Sequence, residues 1–441
     1  MKRPIHQLDR RGFIARAGVN SLAVTAGLSA GGWWTFPTSV AAQSPQPKDG
    51  RPTIAFLGTV VRKHSHAQHF LDRHTLGYAW RGEWQHPRVR VASVYIDQFP
   101  DDDLARERIK RHRLKQYPSI EEALTLGGEE LAVDGVVLIG EHGDYPTNEK
   151  GQKRYPRYDW FKKVVNVFES SGRAVPVFND KHLSTEWPEC VEMVQDSKRL
   201  DFPFLAGSSL PVTRRIPAVE MPYGASLRES VCVAYGGVDS YDVHALETAQ
   251  CMSERRAGGE VGVREVHALK GEGLWNRLAQ DDCQTTRELI VSALTRSHNL
   301  AVEGGFPTEA PSIDWLKRNY PQTVGYLVQH RDDLRTTILL TGIRDFNYAG
   351  MLDDGSVVSC QMYLPMPGHG STTADFFNPL VRHIEETILK SKTPYPVERT
   401  LLTSGIVIAG VDSLFRRQQR VATPHLNIRY MPGRESTFWM D

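Results

Sequence analysis

The sequence has few features that would assign the protein to a simple class. Its five cysteines are odd in number, widely spaced and without a C-x-x-C pair, so they give no signal for a zinc or dithiol centre. They are Cys190, Cys232, Cys251, Cys283 and Cys360. We expect these thiols to behave as small buried apolar groups. The net charge is only +1 and no basic face is evident, so nucleic acid is not an expected partner.

The N-terminus lacks an apolar run long enough for a stable membrane span. The small-residue segment after Arg10 and Arg11 is short, rich in glycine and interrupted by polar residues. The paired arginines and the stretch SVAAQ resemble a twin-arginine export signal. We therefore expect residues 1–42 to be a signal read by the twin-arginine machinery, with a periplasmic destination. Residues 43–52 are then a polar linker.

Strand-like and helix-like segments alternate from residue 53 to residue 185. The apolar runs TIAFLG, VRVASVYID, VDGVVLIG and AVPVFND predict strands. DDDLARERIKRHRL, SIEEALT and YDWFKKVVNVFESSG predict helices, with Ser119 as the N-cap of the second and Gly172 ending the third. This alternation predicts a doubly wound parallel sheet of the α/β class. Ligands of such sheets bind beyond the C-terminal ends of the strands.

The pattern changes in residues 186–441. Helical segments, including Tyr241 to Arg256 and Asn378 to Lys390, are combined with the strand-like runs GYLVQHR, RTTILLTG and VVSCQMYLP. This combination is typical of an α+β domain with an antiparallel sheet. At 441 residues the chain is long enough for these two domains.

Five segments, in this order, resemble the family of glucose-fructose oxidoreductase, inositol dehydrogenase and the MocA proteins. They are VASVYIDQ, YPSIEEALTLGGEELAVDGVVLIG, VFNDKHLSTEW, SYDVHALETAQCM and FFNPLVRHIEETILKSKTPYPVERTLLTSGIVIAGVDSLFRR. The resemblance implies a Rossmann nucleotide-binding domain over 53–185 and a C-terminal α+β domain over 186–441. Its open antiparallel sheet would make the contact of a homo-oligomer. The implied activity is an NAD(P)-dependent oxidation of a sugar, polyol or sugar acid. Because free NAD is scarce in an exported setting, we expect the cofactor to stay bound after export.

The dinucleotide fingerprint G-x-G-x-x-G is incomplete. Val60 stands in place of the second glycine, where its branched side chain competes with a pyrophosphate oxygen, and Lys63 stands near the third. Arg62 and Lys63 supply positive charge for a phosphate at a helix N-terminus. The residues that would bind the cofactor are Gly58, Val60, Arg62, Lys63, Asp97, Glu141 and His142, with Asp97 as the ribose-binding acid. The loop fits either a modified dinucleotide site or a lost one.

The resemblance places the acid–base residues in VFNDKHLSTEW and SYDVHALETAQCM. Lys181 would contact the substrate hydroxyl, in a role that suits a lysine of lowered pKa, and His244 would take the hydroxyl proton. Ser240 stands where the family has an aspartate, so Asp239 and Glu247 are the acids expected to orient His244. The predicted substrate-binding residues are Asp144, Tyr145, Asp180 and His182.

An alternative candidate is a metal site. His64, His66 and His69, with His142, offer imidazoles of the kind that bind zinc. The resemblance implies no metal, and His66 and His69 would fall on the first turn of a helix, so we do not expect one. A second account of function follows from the incomplete fingerprint. The protein would keep the fold but act as a carbohydrate lyase or hydrolase, with acid–base or metal chemistry, or as a sugar-binding protein.

Overall fold

The computed structural model describes residues 50–300, 309–364 and 373–440. Its strands are β1 (Thr53–Gly58), β2 (Tyr78–Trp80), β3 (Glu83–Gln85), β4 (Arg90–Ile96), β5 (Gly135–Ile139), β6 (Val177–Asp180), β7 (Phe204–Gly207), β8 (Arg215–Ile216), β9 (Leu227–Tyr235), β10 (Val263–Lys270), β11 (Val324–His330), β12 (Arg335–Thr341), β13 (Phe346–Leu352), β14 (Val357–Met362) and β15 (Val421–Ala422). Its helices are α1 (His66–Leu76), α2 (Ala105–His112), α3 (Ile120–Thr125), α4 (Arg157–Ser171), α5 (Trp187–Arg199), α6 (Asp242–Ser253), α7 (Glu272–Leu278), α8 (Gln284–Leu294), α9 (Ile313–Asn319), α10 (Asn378–Lys390) and α11 (Glu398–Phe415). Short 3-10 turns span Asp281–Cys283 and Asp375–Phe377. The predicted signal, residues 1–42, lies outside the described residues.

The first sheet is parallel, with strands in the order β4-β1-β5-β6-β7. Its strands are apolar because helices cover both faces. Ile54 and Phe56 share a core with Phe70 of α1, whereas Leu57 shares the opposite core with Phe161 of α4. The predicted doubly wound α/β sheet is therefore confirmed.

Local sequence signals set the ends of the elements in this sheet. The hydroxyl of Ser119 accepts the backbone N–H of Glu122 at 3.1 Å and caps α3. Helix α4 ends at Gly172, whose φ of 59° lies in the left-handed region that a glycine adopts without strain. All of β5 is buried, as its continuous apolar run predicts.

The second sheet has the order β15-β10-β11-β12-β9-β13-β14-β8. Most of its pairs are antiparallel, but β9 and β12 run parallel, so the sheet is mixed rather than wholly antiparallel. Helix α6 follows β9 and crosses the sheet before β10. Strands β10, β11 and β12 then alternate in direction, which leaves β12 parallel to β9. The α/β-plus-α+β architecture is as predicted, with this one change in strand direction.

Helices cover both faces of the second sheet. On one face Cys232 of β9 shares a core with α6 and with Leu402 of α11. On the other face Val231 and Val233 share a core with Leu289 of α8 and Trp315 of α9. A sheet-to-sheet contact with a second copy, which the resemblance implies, is not available at these positions. The homo-oligomer remains a prediction without an assigned surface.

The first sheet extends beyond residue 185, where the sequence places the end of the first domain. Its last strand, β7, pairs with β6, and α10 returns from the C-terminal half so that Leu380 and Ile384 pack in the core of Phe56. Residues Arg51–Asp441 form one compact unit. None of the helices in the described ranges combines the length and the apolar character needed to cross a membrane.

Candidate active site

Titratable side chains meet at the C-terminal ends of β1, β5, β6 and β7, which is the edge where ligands bind in parallel sheets. His66 is the first residue of α1, Glu141 lies in the loop after β5, and Asp180 is the last residue of β6. Lys181 follows directly, and Ser208 follows β7. Of these side chains, the Asp180 carboxylate is 1% exposed and the Glu141 carboxylate 5% exposed. The group therefore lies in the protein interior rather than on a solvated rim.

Glu141 is the central anion of the group. Its Oε2 lies 2.8 Å from Lys181 Nζ, and its Oε1 accepts the backbone N–H of His66 at 2.6 Å. Burial alone would raise the pKa of this carboxyl, but His66, Lys181 and His142 hold it well below its usual range. Glu141 is thus a buried carboxylate that stays ionised because cationic and N–H groups surround it.

Asp180 fixes the ring of His66. The His66 Nδ1 lies 2.8 Å and 3.0 Å from the two carboxylate oxygens of Asp180. The same ring meets Phe377 edge-on, with the centroids 4.8 Å apart. Because Nδ1 faces both oxygens of a buried carboxylate, it carries a proton in this arrangement.

Lys181 and His244, to which the resemblance gives the acid–base roles, lie next to each other. Lys181 Nζ lies 3.5 Å from His244 Nε2, and His244 Nδ1 lies 2.6 Å from Ser208 Oγ. Since an ammonium only donates, Nε2 accepts and Nδ1–H donates to Ser208. Burial, with the charges of Lys181 and His66, lowers the pKa of His244 well below its usual value. His244 is therefore a neutral proton acceptor.

Lys181 does not have the lowered pKa that would suit it to remove protons. Burial does favour the neutral amine, but Glu141 and Asp180 outweigh it and raise the pKa of Lys181. The backbone of Lys181 is also unusual, with a φ of 66° and an N–H that donates to Gly207 O at 3.0 Å. Lys181 is therefore a cation in a fixed position, which suits it to stabilise negative charge rather than to remove protons.

The two acids predicted to orient His244 make their hydrogen bonds elsewhere. Asp239 accepts Gln152 Nε2–H and the backbone N–H of Lys153, both at 3.0 Å. Glu247 accepts the backbone N–H of Ser208 at 2.6 Å. The group that orients His244 is the Ser208 hydroxyl, which the sequence does not predict. The sequence signal that could have indicated Ser208 is the short apolar run FLAG directly before it, which predicts a strand. This run lies beyond the predicted end of the first domain.

Three of the predicted histidines lie outside this hydrogen-bonded centre. His182 is buried, its carbonyl accepts Arg157 Nη1–H at 2.7 Å, and neither ring nitrogen has a hydrogen-bond partner among the described residues. His69 stacks on Phe377 at 5.1 Å, and burial lowers its pKa to about 3. His64 is exposed. The structure therefore does not bring His64, His66 and His69 together as a metal site, since of these three only His66 turns towards the carboxylates.

The N-terminus of α1 does not form a pyrophosphate cradle in this structure. Gly58 ends β1, Val60 is buried at 2% exposure, and the helix begins only at His66. The His66 N–H at the start of the helix, where a pyrophosphate oxygen would bind, already donates to the Glu141 carboxylate. These residues do not fit a dinucleotide held in the manner of the glycine fingerprint.

The loop after β5 also crosses to the end of β4. Tyr145 OH donates to Asp97 Oδ2 at 2.6 Å. Gln98 joins the same loop twice, since its Oε1 accepts the Asp144 N–H at 2.8 Å and its Nε2–H donates to Asp144 O at 3.1 Å. Asp97, the predicted ribose acid, is thus bonded to the protein itself. The bridge spans β1, over which a dinucleotide lies in Rossmann sheets.

The rim of the site is basic. Arg62 and Lys63, the predicted phosphate-binding residues, are both exposed on the loop after β1. Arg62 Nη2 lies 3.0 Å from His142 Nδ1, and burial lowers the pKa of His142, which leaves the imidazole able to accept this bond. Positive charge is therefore available at the entrance for an anionic group on a ligand.

No family model and no curated protein matches the sequence. Solved structures do share its fold. Myo-inositol dehydrogenase from Lactobacillus casei, solved in complex with NAD(H) and myo-inositol, matches with a TM-score of 0.53 at 10% identity over 84% of this chain and 96% of its own. GenD2 from gentamicin A biosynthesis, solved in complex with NAD, matches with a TM-score of 0.52 at 11% identity over 84% of this chain and 96% of its own.

A third match is a putative myo-inositol dehydrogenase from Sinorhizobium meliloti 1021. Its TM-score is 0.51 at 12% identity, over 84% of this chain and 99% of the other. Such identities show a shared fold, whereas function has to be inferred from the site. The chain therefore has the fold of the glucose-fructose oxidoreductase, inositol dehydrogenase and MocA family, as its sequence motifs predict.

Proposed function

We propose that this protein is an enzyme that acts on a hydroxyl group of a sugar, polyol or sugar acid. The observation that carries the proposal is the contact between Lys181 Nζ and His244 Nε2, 3.5 Å apart at the C-terminal edge of the parallel sheet. These two residues come from separate parts of the chain, and the resemblance assigns the same pair to the substrate hydroxyl.

The protonation states of the pair suit this chemistry. A substrate hydroxyl between the two residues would give its proton to the neutral His244 Nε2, as the O–H bond breaks and an N–H bond forms. The Lys181 ammonium would stabilise the alkoxide oxygen left behind. The Ser208 Oγ, 2.6 Å from Nδ1, holds the imidazole in the tautomer that the step requires.

Oxidation of that hydroxyl is the first candidate reaction. The fold supports it, since solved dehydrogenases share this architecture and one of them holds NAD(H) with myo-inositol. A nicotinamide dinucleotide supplies the hydride acceptor for such a reaction when it is bound. NAD and NADP both remain open as that cofactor.

A lyase or hydrolase reaction without a dinucleotide is the second candidate, and a specific observation favours it. The Glu141 carboxylate takes the helix N–H where a pyrophosphate would bind, and the loop after β5 bridges to β4. Proton transfer to His244, with Lys181 stabilising the oxygen left behind, needs no hydride acceptor, so the pair serves either reaction.

Export to the periplasm, retention of a bound cofactor and assembly into a homo-oligomer also belong to the proposal. The support for export is the paired Arg10 and Arg11 of the signal-like N-terminus. Fractionation of cells that express the full chain tests it. Replacing both arginines by lysine should leave the protein in the cytoplasm, and unchanged export of that variant would contradict the proposal.

The reaction is tested on the purified full chain. Denaturation followed by absorbance and mass analysis of the released small molecules shows whether a nicotinamide dinucleotide is bound, and thermal shift with NAD and NADP shows whether either one binds. Released dinucleotide or a thermal shift supports oxidation, and the absence of both favours the second candidate.

Turnover of sugars, polyols and sugar acids is then compared among variants. Lys181→Met and His244→Gln should each lower kcat by about 100-fold or more, because positioned acid–base groups contribute about 10²- to 10⁴-fold. Lys110→Met, at an exposed lysine of α2, is the control. Wild-type turnover in both site variants would refute the proposed function.

A further inference from the structure

We propose that His66, Glu141 and Asp180 form a site for one divalent transition-metal ion. The three residues lie at the start of α1, in the loop after β5 and at the end of β6, and one ligand atom from each lies within 4.8 Å of the others. The Asp180 and Glu141 carboxylates are 1% and 5% exposed and the His66 side chain 16% exposed, so an ion between them would be largely shielded from solvent.

The orientation of the side chains is that of a ligand set. The Glu141 Oε2 faces Lys181, which leaves Oε1 towards His66, 3.8 Å from Nδ1. Asp180 faces the same nitrogen with both oxygens, at 2.8 Å and 3.0 Å. Nδ1 therefore faces oxygens from two carboxylates, one of which, Glu141 Oε1, also accepts the His66 backbone N–H. An ion there would replace the proton that Nδ1 shares with Asp180.

The donor types narrow the class of ion. One imidazole nitrogen with two carboxylates suits zinc, manganese or iron, whereas calcium prefers six to eight oxygen ligands. Three protein ligands leave coordination positions open for water or substrate, as in catalytic rather than structural sites. Lys181 would remain bonded to the outer oxygen of Glu141 and hold that ligand in place.

The position of the site assigns it a role in the proposed function, on which this step rests. The rings of His66 and His244 are 6.1 Å apart between centroids. A substrate hydroxyl bound to the ion would therefore lie near His244 Nε2, the proton acceptor. The ion would act as a Lewis acid on that oxygen, with the proton passing to His244.

Metal binding is tested on the full chain, purified without a metal-chelating tag, stripped with EDTA and titrated with zinc chloride and manganese chloride by calorimetry. Elemental analysis of the dialysed protein counts the bound ions. We expect one ion per chain. Asp180→Asn and Glu141→Gln should each weaken binding by at least ten-fold, while His64→Ala, at an exposed histidine outside the site, should bind as the wild type does.

Two variants are needed because Glu141→Gln leaves Lys181 without its carboxylate and can disturb folding. Asp180→Asn keeps an oxygen that accepts from His66 Nδ1–H, and its circular dichroism spectrum is compared with that of the wild type to check folding. No saturable binding of either ion to the wild type would overturn the proposal. Wild-type affinity in both folded site variants would overturn it as well.

The same samples separate this proposal from the proposed function. If one ion binds and Asp180→Asn loses it, the metal site stands even where Lys181→Met and His244→Gln leave turnover unchanged, a result that refutes only the function. If no ion binds while the Lys181 and His244 variants lose turnover, the metal site is refuted and the acid–base function stands.

Discussion

Glu247 lies on α6 and is fully buried beside the active-site residue Ser208, whose backbone N–H it accepts at 2.6 Å. Its other oxygen is 3.1 Å from Thr400 Oγ1, which is also 2.9 Å from the carbonyl of Ala206. The Thr400 hydroxyl donates towards both the Ala206 carbonyl and Glu247 Oε1, so its single proton is shared between two acceptors. Burial outweighs these hydrogen bonds and raises the pKa of Glu247 from 4.5 to about 7.

The raised pKa of Glu247 makes the stability of the folded protein depend on pH. In the unfolded chain Glu247 ionises near its ordinary pKa, whereas in the folded protein it keeps its proton until about pH 7. Its contribution is therefore fully present below the unfolded pKa and is lost as the pH rises through the folded pKa. One pKa unit corresponds to about 1.4 kcal/mol, so the free energy of unfolding should fall by about 3 kcal/mol from this group alone.

Glu247→Gln isolates that contribution, because the amide keeps the hydrogen bonds of the protonated carboxyl. Urea unfolding of wild type and variant at several pH values measures the difference in stability. Relative to wild type, the variant should gain about 2 to 3 kcal/mol between about pH 5 and about pH 8. Glu130→Gln, at an exposed glutamate, controls for the loss of one acid. A difference between wild type and Glu247→Gln that does not change with pH would refute the reasoning.

Two further predictions concern the packing around this region. Gly207→Ala should destabilise the fold by about 1 to 3 kcal/mol in urea unfolding. The reason is that φ is +119° at Gly207 and an added Cβ would approach Glu247 Oε1 to 2.5 Å. Unchanged stability of the variant would contradict this close approach. Glu254→Gln should cost about 3 to 5 kcal/mol, because Arg399, bonded to both carboxylate oxygens at 2.5 Å and 2.9 Å, would become a buried unpaired cation. Adding Arg399→Met to that variant should restore part of the loss in the same assay, and a further drop in stability would contradict this account.

The parallel sheet could be predicted because its signals are local. Each strand is a short apolar run, and Ser119 and Gly172 mark helix ends through conformations that depend on neighbouring residues only. The extent of the sheet could not be predicted in the same way. Strand β7 is only four residues long, and α10 reaches the core of Phe56 from more than three hundred residues along the chain. Such contacts depend on tertiary packing, which no short window of sequence contains.

The active site was partly predictable for a similar reason. Lys181 and His244 lie in segments with a recognisable order, and the structure brings them together. Their protonation could not be predicted, because the raised pKa of Lys181 depends on Glu141 from another strand. The role of Ser208 could not be predicted either, because it depends on a hydrogen bond to His244, which lies on a different element of the fold.

Val60 and Glu141 both bear on whether the N-terminus of α1 can bind a pyrophosphate. The N-terminus of α1 and the Lys181 ammonium both favour an anion at the edge of the sheet. A pyrophosphate could approach this helix only if no side chain of the loop blocked the backbone. Glu141 meets the same electrostatic need from inside the protein, as its contacts with the His66 N–H and Lys181 Nζ show. In the same loop Val60 occupies the position of the second glycine, and its buried side chain adds apolar packing. In this structure the negative charge beside the N-terminus of α1 and the Lys181 ammonium is therefore supplied by a side chain of the protein.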